Sequence, residues 1–164
     1  EIATASGRCN MYIHTVLRQR RMTSILGRIR PSSVLVRMIE GRVSAGFPSP
    51  ADDYAETYLS LDELVNVRAP SVYLVRAGGD SLTGVGIYDG DVLVVDKAAV
   101  ANQGEVVIAL VGGEFTAKVL SYDANGRPVL QAANPAYPSI TFQDGEALEI
   151  WGVVTDNLHS LRRR

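Results

Sequence analysis

Short runs of β-branched and aromatic residues, separated by turn signals, dominate the chain after residue 70. Such runs predict strands, because branched and aromatic side chains pack well on a pleated surface. The Gly112-Gly113 pair between two of these runs predicts a tight hairpin. The predicted strands are 71–77, 91–96, 105–111, 114–122, 128–132, 140–142 and 148–154. Regular short strands with turns between them predict a mainly β body, folded as a barrel or as paired sheets.

The pattern is different before residue 70. Residues 1–21 show no clean periodicity and lack the apolar segment and small-residue cleavage site of a signal peptide. Met22 is a candidate start, so residues 1–21 are either upstream sequence or part of the native product. Residues 22–44 are expected to be extended or briefly helical. Ser60-Leu61-Asp62-Glu63 resembles a capping box and predicts a short helical turn that reaches residue 67.

A Gly-Phe-Pro-Ser-Pro cluster at residues 46–50 marks a boundary between an N-terminal arm, residues 1–45, and a body, residues 46–164. Charge changes sign at this boundary. The first 44 residues carry eight Arg against Glu1 and Glu40, a net charge of +6, whereas the remainder carries −8. The arm is therefore either a flexible tail or a segment that docks on an acidic surface. The acidic body disfavours binding to nucleic acid.

Composition excludes several kinds of site. Cys9 is the single cysteine, so a disulfide framework and a CxxC zinc site are excluded, and a reducing cytoplasmic compartment is expected. His14 and His159 are the only histidines, which disfavours His-based metal or triad chemistry. No apolar run approaches the roughly 18 residues that a membrane span needs. The sequence predicts no metal, no cofactor and no membrane association.

Two lysines are the candidate general bases, because the other cations are arginines, which stay protonated in proteins. Lys97 lies in a polar loop after a strand and is expected to be a solvated ammonium. Lys118 lies in the middle of the predicted strand 114–122, on one face with Thr116 and Leu120. It either extends to solvent from a half-exposed face or is buried with a lowered pKa, as a base requires.

Ser81 is the candidate nucleophile. It follows Gly78-Gly79-Asp80 at the end of a predicted strand, where a tight turn can point backbone N–H groups at a substrate carbonyl. Most serines in such a position are only turn residues. Ser81 and Lys118 together would form a Ser–Lys dyad, but periodicity does not show that they meet.

Five segments resemble the UmuD branch of the LexA-type self-cleaving serine peptidases, and the resemblance runs from about Met22 to Val154. They are Ala45–Ala51, Gly79–Leu82, Gly86–Asp91, Gly113–Lys118 and Asn134–Tyr137. The resemblance implies a small LexA/UmuD-type, peptidase S24-like domain of short, highly bent strands, preceded by a flexible arm. Two positions depart from the family. Leu82 stands where Met is common, and Ala45 is usual in LexA-like repressors, whereas a UmuD can have Cys there.

The resemblance also implies roles. Ser81 would be the nucleophile and Lys118 the general base. The chain would cut its own Ala45–Gly46 bond, and the backbone N–H groups near Asp80 and Ser81 would stabilise the oxyanion. A RecA filament on single-stranded DNA would trigger the cut during the SOS response. The cleaved homodimer would join an UmuC-like Y-family polymerase for error-prone translesion synthesis.

Three alternatives compete with this interpretation. A LexA-type repressor needs a DNA-binding module before the cut, and the 44 residues before Ala45 show no three-helix pattern. Direct sequence-specific DNA binding is therefore not expected. A signal peptidase needs a membrane anchor, which the sequence lacks. A β-rich interaction module with an inert Ser81 and Lys118 stays open.

Overall fold

The computed structural model describes residues 24–28, 35–40, 55–66, 69–143 and 145–162. Within these residues the chain is mainly β, as predicted. The strands are β1 (Ser24–Arg28), β2 (Leu35–Glu40), β3 (Ala55–Ser60), β4 (Val72–Arg76), β5 (Val92–Asp96), β6 (Val106–Val111), β7 (Glu114–Tyr122), β8 (Pro128–Gln131), β9 (Ile140–Thr141) and β10 (Glu149–Leu158). Helix α1 (Leu61–Leu64) follows β3, and a 3-10 turn (Thr83–Val85) lies between β4 and β5.

Eight strands form one sheet in the order β1-β4-β5-β10-β6-β7-β8-β9, and β2 and β3 form a separate two-stranded sheet. All of these pairs are antiparallel. Each strand predicted after residue 70 is present, and β10 runs four residues beyond its predicted end at Val154. β3 was not predicted as a strand.

The β6–β7 hairpin shows why local sequence dictates the fold here. Gly112 and Gly113 have φ angles of 59° and 84°, a left-handed conformation that glycine adopts without strain. Two such residues in a row are what a tight hairpin turn requires, and Leu110 pairs directly with Phe115 across it. The prediction of a two-residue Gly-Gly loop is confirmed.

The large sheet carries apolar residues on both faces. One cluster lies under the segment between β4 and β5 and contains Val75, Ala77, Leu82, Ile87, Leu93, Val95, Ile108 and Ala117. The second cluster contains Val107, Ala109, Leu120, Leu130 and Val153. Since Ala117 and Leu120 belong to different clusters, β7 is covered on both faces, and its central residues are held in a packed interior.

Strand β10 bends at two points where its register shifts against its neighbours, between Ile150 and Gly152 and between Val154 and Asp156. Such irregularities increase local twist and curve a sheet. Gly152 is required at the first bend, because a Cβ there would lie 2.7 Å from Val95 Cγ1. The implied architecture of short, bent strands agrees with this geometry.

Helix α1 begins where the capping pattern predicts. Ser60 is the N-cap, and its Oγ accepts a hydrogen bond from the Asp62 N–H over 3.2 Å. The helix ends at Leu64, earlier than the predicted limit at residue 67, which lies outside the described residues. No helix in the described part of the chain is long and apolar enough to cross a membrane.

Part of the predicted arm pairs with the body. β1 lies beside β4 at the edge of the large sheet, and β2 pairs with β3 so that Glu40 lies opposite Ala55. The expectation that residues 22–44 are extended or helical is met by strands at 24–28 and 35–40. Residues 1–23 and the predicted cut at Ala45 and Gly46 lie outside the described residues.

Candidate active site

Ser81 lies in a turn that follows β4 directly and is 8% exposed. Gly79 makes this turn possible, since its φ of 83° is left-handed, and its N–H donates to Asp89 Oδ1 over 2.7 Å. Leu82, the next residue, packs into the first core cluster. Glycine on one side and a buried leucine on the other therefore fix the position of Ser81.

Lys118 lies in the middle of β7 and pairs with Val107 of β6 across the sheet. The side chain is 9% exposed, which excludes the half-exposed alternative for this residue. Burial disfavours the charged ammonium and lowers the pKa of Lys118 below its ordinary value of 10.5. Within the described residues no carboxylate pairs with it. Lys118 is thus a buried amine whose pKa lies below that of an exposed lysine.

The structure brings these two residues together. Lys118 Nζ donates a hydrogen bond to Ser81 Oγ over 2.9 Å, between residues 37 positions apart in sequence. Three strands separate β4 from β7 in the sheet, a distance of roughly 19 Å at the usual strand spacing. The segment after β4 approaches β7, since Leu82 and Ile87 share the first core cluster with Ala117, the neighbour of Lys118 in β7.

Lys97 lies elsewhere, as the sequence predicts. The side chain is exposed, and its Nζ lies 4.7 Å from the centroid of the Trp151 ring and 5.6 Å from that of Tyr73. The quadrupole of an aromatic ring attracts a cation placed over its face. Lys97 is therefore suited to surface packing and unsuited to proton transfer at Ser81.

The peptide between Asp80 and Ser81 carries one of the N–H groups expected to bind an oxyanion. In the described part of the chain no acceptor is recorded for the N–H of Asp80 or of Ser81. Both groups are therefore free to donate a hydrogen bond. A preorganised donor of this kind stabilises the charge that develops in acyl transfer.

Asn134 and Tyr137 belong to one of the five segments that resemble the family, but the sequence indicates no role for them. Both contact residues 79–85, the turn that carries the candidate nucleophile Ser81 and is called the nucleophile turn below. Asn134 Nδ2 donates to the Asp80 carbonyl over 3.1 Å, and the Tyr137 hydroxyl donates to Asp80 Oδ1. The Asn-Pro pair that follows β8 is a turn signal, but it does not reveal which element the turn will contact.

No metal site emerges among the residues that the structure describes, where no group of three or more His, Cys, Asp or Glu side chains could hold an ion. The site consists of a serine hydroxyl beside a buried amine. That pair can transfer the hydroxyl proton to nitrogen and leave a nucleophilic oxygen.

Comparison with known proteins agrees with this geometry. Residues 37–155 match the family described as Peptidase S24-like. The chain belongs to this family. The match covers Ser81 and Lys118 and extends from β2 to β10.

Several curated proteins are similar over the same region. Protein SamA of Salmonella typhimurium is 46% identical over 121 residues, which cover 74% of this chain and 83% of that protein. Protein MucA of Salmonella typhimurium is 45% identical over 119 residues, 71% of this chain and 80% of that protein. Protein ImpA of Salmonella typhimurium is 40% identical over 121 residues, 74% and 81% of the two chains.

The family and these relatives confirm the resemblance to UmuD-like proteins that the five sequence segments indicated. They support a serine peptidase of the S24 family and an SOS mutagenesis protein of the LexA/UmuD type. The contact between Ser81 and Lys118 is the structural feature of this S24 chain that bears on its chemistry.

Proposed function

We propose that this protein is a self-cleaving serine peptidase in which Ser81 and Lys118 form the catalytic dyad and the Ala45–Gly46 bond is the substrate. The observation that carries the proposal is the 2.9 Å contact between Lys118 Nζ and Ser81 Oγ in a nearly dry environment. A serine needs a base within hydrogen-bond reach, and a buried lysine supplies one when its pKa is lowered.

The first half of the reaction forms an acyl-enzyme. Neutral Lys118 Nζ accepts the Ser81 hydroxyl proton as Oγ attacks the carbonyl carbon of Ala45. The carbonyl oxygen becomes an oxyanion that the N–H groups of Asp80 and Ser81 stabilise. Collapse of this intermediate breaks the bond to Gly46, and the leaving amine takes the proton from Lys118.

The second half releases the serine. Lys118, neutral again, accepts a proton from water, whose oxygen attacks the ester carbonyl of Ala45. Collapse breaks the ester bond and returns the proton to Ser81 Oγ. The products are a carboxylate at Ala45 and a free amine at Gly46. Because the substrate belongs to the chain itself, each molecule reacts once.

Membership of the UmuD-like group supports a cytoplasmic role in the SOS response. In this proposal a RecA filament on single-stranded DNA stimulates the cut without taking part in the chemistry. The cleaved chain forms a homodimer and serves an UmuC-like Y-family polymerase as an accessory subunit. The cut also breaks the covalent link between a basic arm and an acidic body, and later release of the arm would change the electrostatic field that partners meet.

Intact mass spectrometry tests the proposal. The full chain is incubated at about pH 10, near the ordinary pKa of lysine, and separately at neutral pH with and without RecA filament. A new species that matches residues 46–164, in the wild type and absent from Ser81→Ala, is the expected result. A wild type that stays intact under every condition would instead support the catalytically inert interaction module. A cut at another bond would overturn the assignment of Ala45 and Gly46.

A further inference from the structure

The loop after β8 is attached to the nucleophile turn by backbone and side-chain hydrogen bonds. The Ala133 N–H donates to the Ser81 carbonyl over 2.8 Å, and the Gly84 N–H donates to the Ala133 carbonyl over 3.0 Å. Asn134 and Tyr137 add the two side-chain contacts to Asp80. The residue before the candidate nucleophile is thus held from outside its own turn.

The carbonyl of Asp80 receives hydrogen bonds from two side chains. Thr83 Oγ1 donates to it over 3.0 Å and Asn134 Nδ2 over 3.1 Å. This carbonyl shares a planar, trans peptide with the Ser81 N–H, so the two groups point in opposite directions. Donors that fix the Asp80 carbonyl therefore also fix the direction of the Ser81 N–H.

The side chain of Asp80 is anchored as well. The Tyr137 hydroxyl donates to Oδ1, and Asn134 Nδ2 also reaches Oδ2 at 3.5 Å. Asn134 is itself held, because its Oδ1 accepts from the Ala136 N–H over 3.0 Å and its carbonyl accepts from the Tyr137 N–H over 3.1 Å. The loop is a folded turn with its donors already oriented towards Asp80.

We propose that Asn134 and Tyr137 are positioning residues that hold the Asp80–Ser81 peptide with its N–H directed to the carbonyl under attack. This inference rests on the proposed self-cleavage and gives a role to two residues that do not contact the scissile bond in it. Placement of a donor matters because stabilisation of an oxyanion requires groups that are oriented before charge develops.

The Tyr137 contact also sets an upper pH limit. The phenol donates only while it is protonated, and the hydrogen bond to Asp80 raises the pKa of Tyr137 above its ordinary value of 10.0, with smaller contributions from burial and from the Asp80 charge. Asp80 is the one titratable group recorded against this phenol within the described residues. Above that pKa a phenolate faces a carboxylate, and the two repel each other.

The cleavage rate should therefore rise with pH as Lys118 loses its proton and fall again as Tyr137 does. The experiment follows cleavage of the full chain between about pH 7 and 12, without RecA, in the wild type, Tyr137→Phe and Asn134→Ala. Tyr122→Phe and Asn125→Ala are the matched controls, since they remove a phenol and an amide near the β7–β8 turn. Fluorescence of Trp151, the single tryptophan, confirms that each protein is folded at each pH.

Tyr137→Phe and Asn134→Ala are each expected to slow cleavage by about tenfold or more, since loss of an oxyanion donor costs about 100-fold or more. Tyr137→Phe should also abolish the alkaline fall, whereas Asn134→Ala and the two controls should keep it. If Tyr137 had only a structural role, Tyr137→Phe would lower the cleavage rate but would keep the fall of that rate at high pH. Unchanged rates, or an alkaline fall that persists in Tyr137→Phe, would overturn the inference.

A third variant keeps the inference testable if Tyr137→Phe or Asn134→Ala fails to fold. Thr83→Val removes the other side-chain donor to the Asp80 carbonyl and leaves the Tyr137 contact in place. It should slow cleavage and keep the alkaline fall, and a rate equal to that of the wild type would count against the inference. A wild type that never cleaves overturns the proposed function itself, whereas cleavage that is indifferent to these variants overturns only the positioning role.

Discussion

Lys118 Nζ and Ser81 Oγ lie within hydrogen-bond distance although Lys118 belongs to β7 and Ser81 to the turn after β4, and three strands lie between β4 and β7. The strand supplies rigidity, since β7 is paired on both sides and covered on both faces. The turn that carries Ser81 follows the end of β4 at Arg76 and is anchored by Leu82 in the first core cluster. Burial lowers the pKa of Lys118, which is the direction that its proposed role as a base requires.

Replacement of Lys118 by methionine should abolish cleavage. Methionine keeps most of the buried volume and removes the amine, so Ser81 Oγ loses the group that accepts its proton. The expected loss is at least 100-fold in the cleavage rate, measured by intact mass over time. Lys118→Arg should be equally inactive at every pH, because a guanidinium does not deprotonate.

The matched control is Lys97→Ala, which should cleave at the rate of the wild type because Lys97 contacts Trp151 and Tyr73 on the surface. A Lys97→Ala protein that has lost cleavage while Lys118→Met retains it would show that the base has been assigned to the wrong lysine.

The buried amine should also cost stability below its ordinary pKa. Because the folded-state pKa of Lys118 lies below 10.5, the unfolded chain binds more protons over the interval between the two pKa values. Unfolding free energy therefore rises with pH across that interval. In the uncleavable Ser81→Ala background, Lys118→Met should raise Tm at neutral pH by several degrees, about 2–4 °C per kcal/mol. This increase in Tm should become smaller as the pH approaches 10.5.

The two proposed catalytic residues, Ser81 and Lys118, were predictable from the sequence, but their contact was not. Lysine is so scarce that Lys118 stands out on a predicted strand, and Ser81 stands out at a glycine turn. Their contact depends on how the segment after β4 packs on the sheet. No pattern in the local sequence indicates this tertiary packing. The burial of Lys118 follows from the same packing, so alternation along β7 could not distinguish an exposed from a buried amine.

Gly84 should tolerate no side chain. A Cβ there would lie 2.1 Å from the Ala133 carbonyl oxygen, so the nucleophile turn and the loop after β8 would have to separate. Gly84→Ala is expected to lower the unfolding free energy by about 1–3 kcal/mol and to slow cleavage. The comparison is Gly126→Ala, in the β7–β8 turn with a φ of 77°. It should lose stability through backbone strain and leave the cleavage rate of the folded protein unchanged.

The carboxylate of Asp91 fixes the end of the segment that carries Ser81. It is 4% exposed and accepts hydrogen bonds from the Tyr88 N–H, Asn157 Nδ2 and His159 Nδ1, the last over 2.6 Å. Burial alone would raise the pKa of Asp91, but these bonds outweigh it and lower the pKa below 3.8. The stabilisation is therefore present above pH 3.8 and is lost as pH falls through the lowered pKa.

Asp91→Asn should cost about 1–3 kcal/mol of unfolding free energy at neutral pH, because it removes the charge and places an amide donor against two other donors. Chemical denaturation at several pH values measures this loss of unfolding free energy. The difference from the wild type should narrow below pH 3.8. Asp156→Asn, on the same strand as Asn157, is the control and should change stability little. A cost that is constant across this range would show that the carboxylate charge contributes nothing.

The fold was easier to predict after residue 70 than before it. Alternating branched residues and glycine turns indicated β4 to β10, because each strand carries its own pattern and its own boundary signals. β3 was missed because the helix signal at Ser60 begins on the last residue of that strand. β1 and β2 contain arginines and exposed apolar residues, and only their pairing with β4 and β3 makes them strands.

The pairing of β1 with β4 and of β2 with β3 predicts whether the two fragments stay together after cleavage. β1 is hydrogen-bonded to β4 and β2 to β3, so two antiparallel pairs join residues 24–40 to residues 55–76 across the proposed cut. The two fragments should therefore stay together after cleavage and co-elute as one species in a native buffer, yet separate under denaturing conditions.

Met38→Pro, which removes a backbone donor and strains β2 opposite Thr57, should release the N-terminal fragment faster. The control is Leu35→Thr, which keeps β propensity at the exposed end of β2. Immediate separation of the fragments in the wild type would show that these pairs do not hold the arm once the chain is cut.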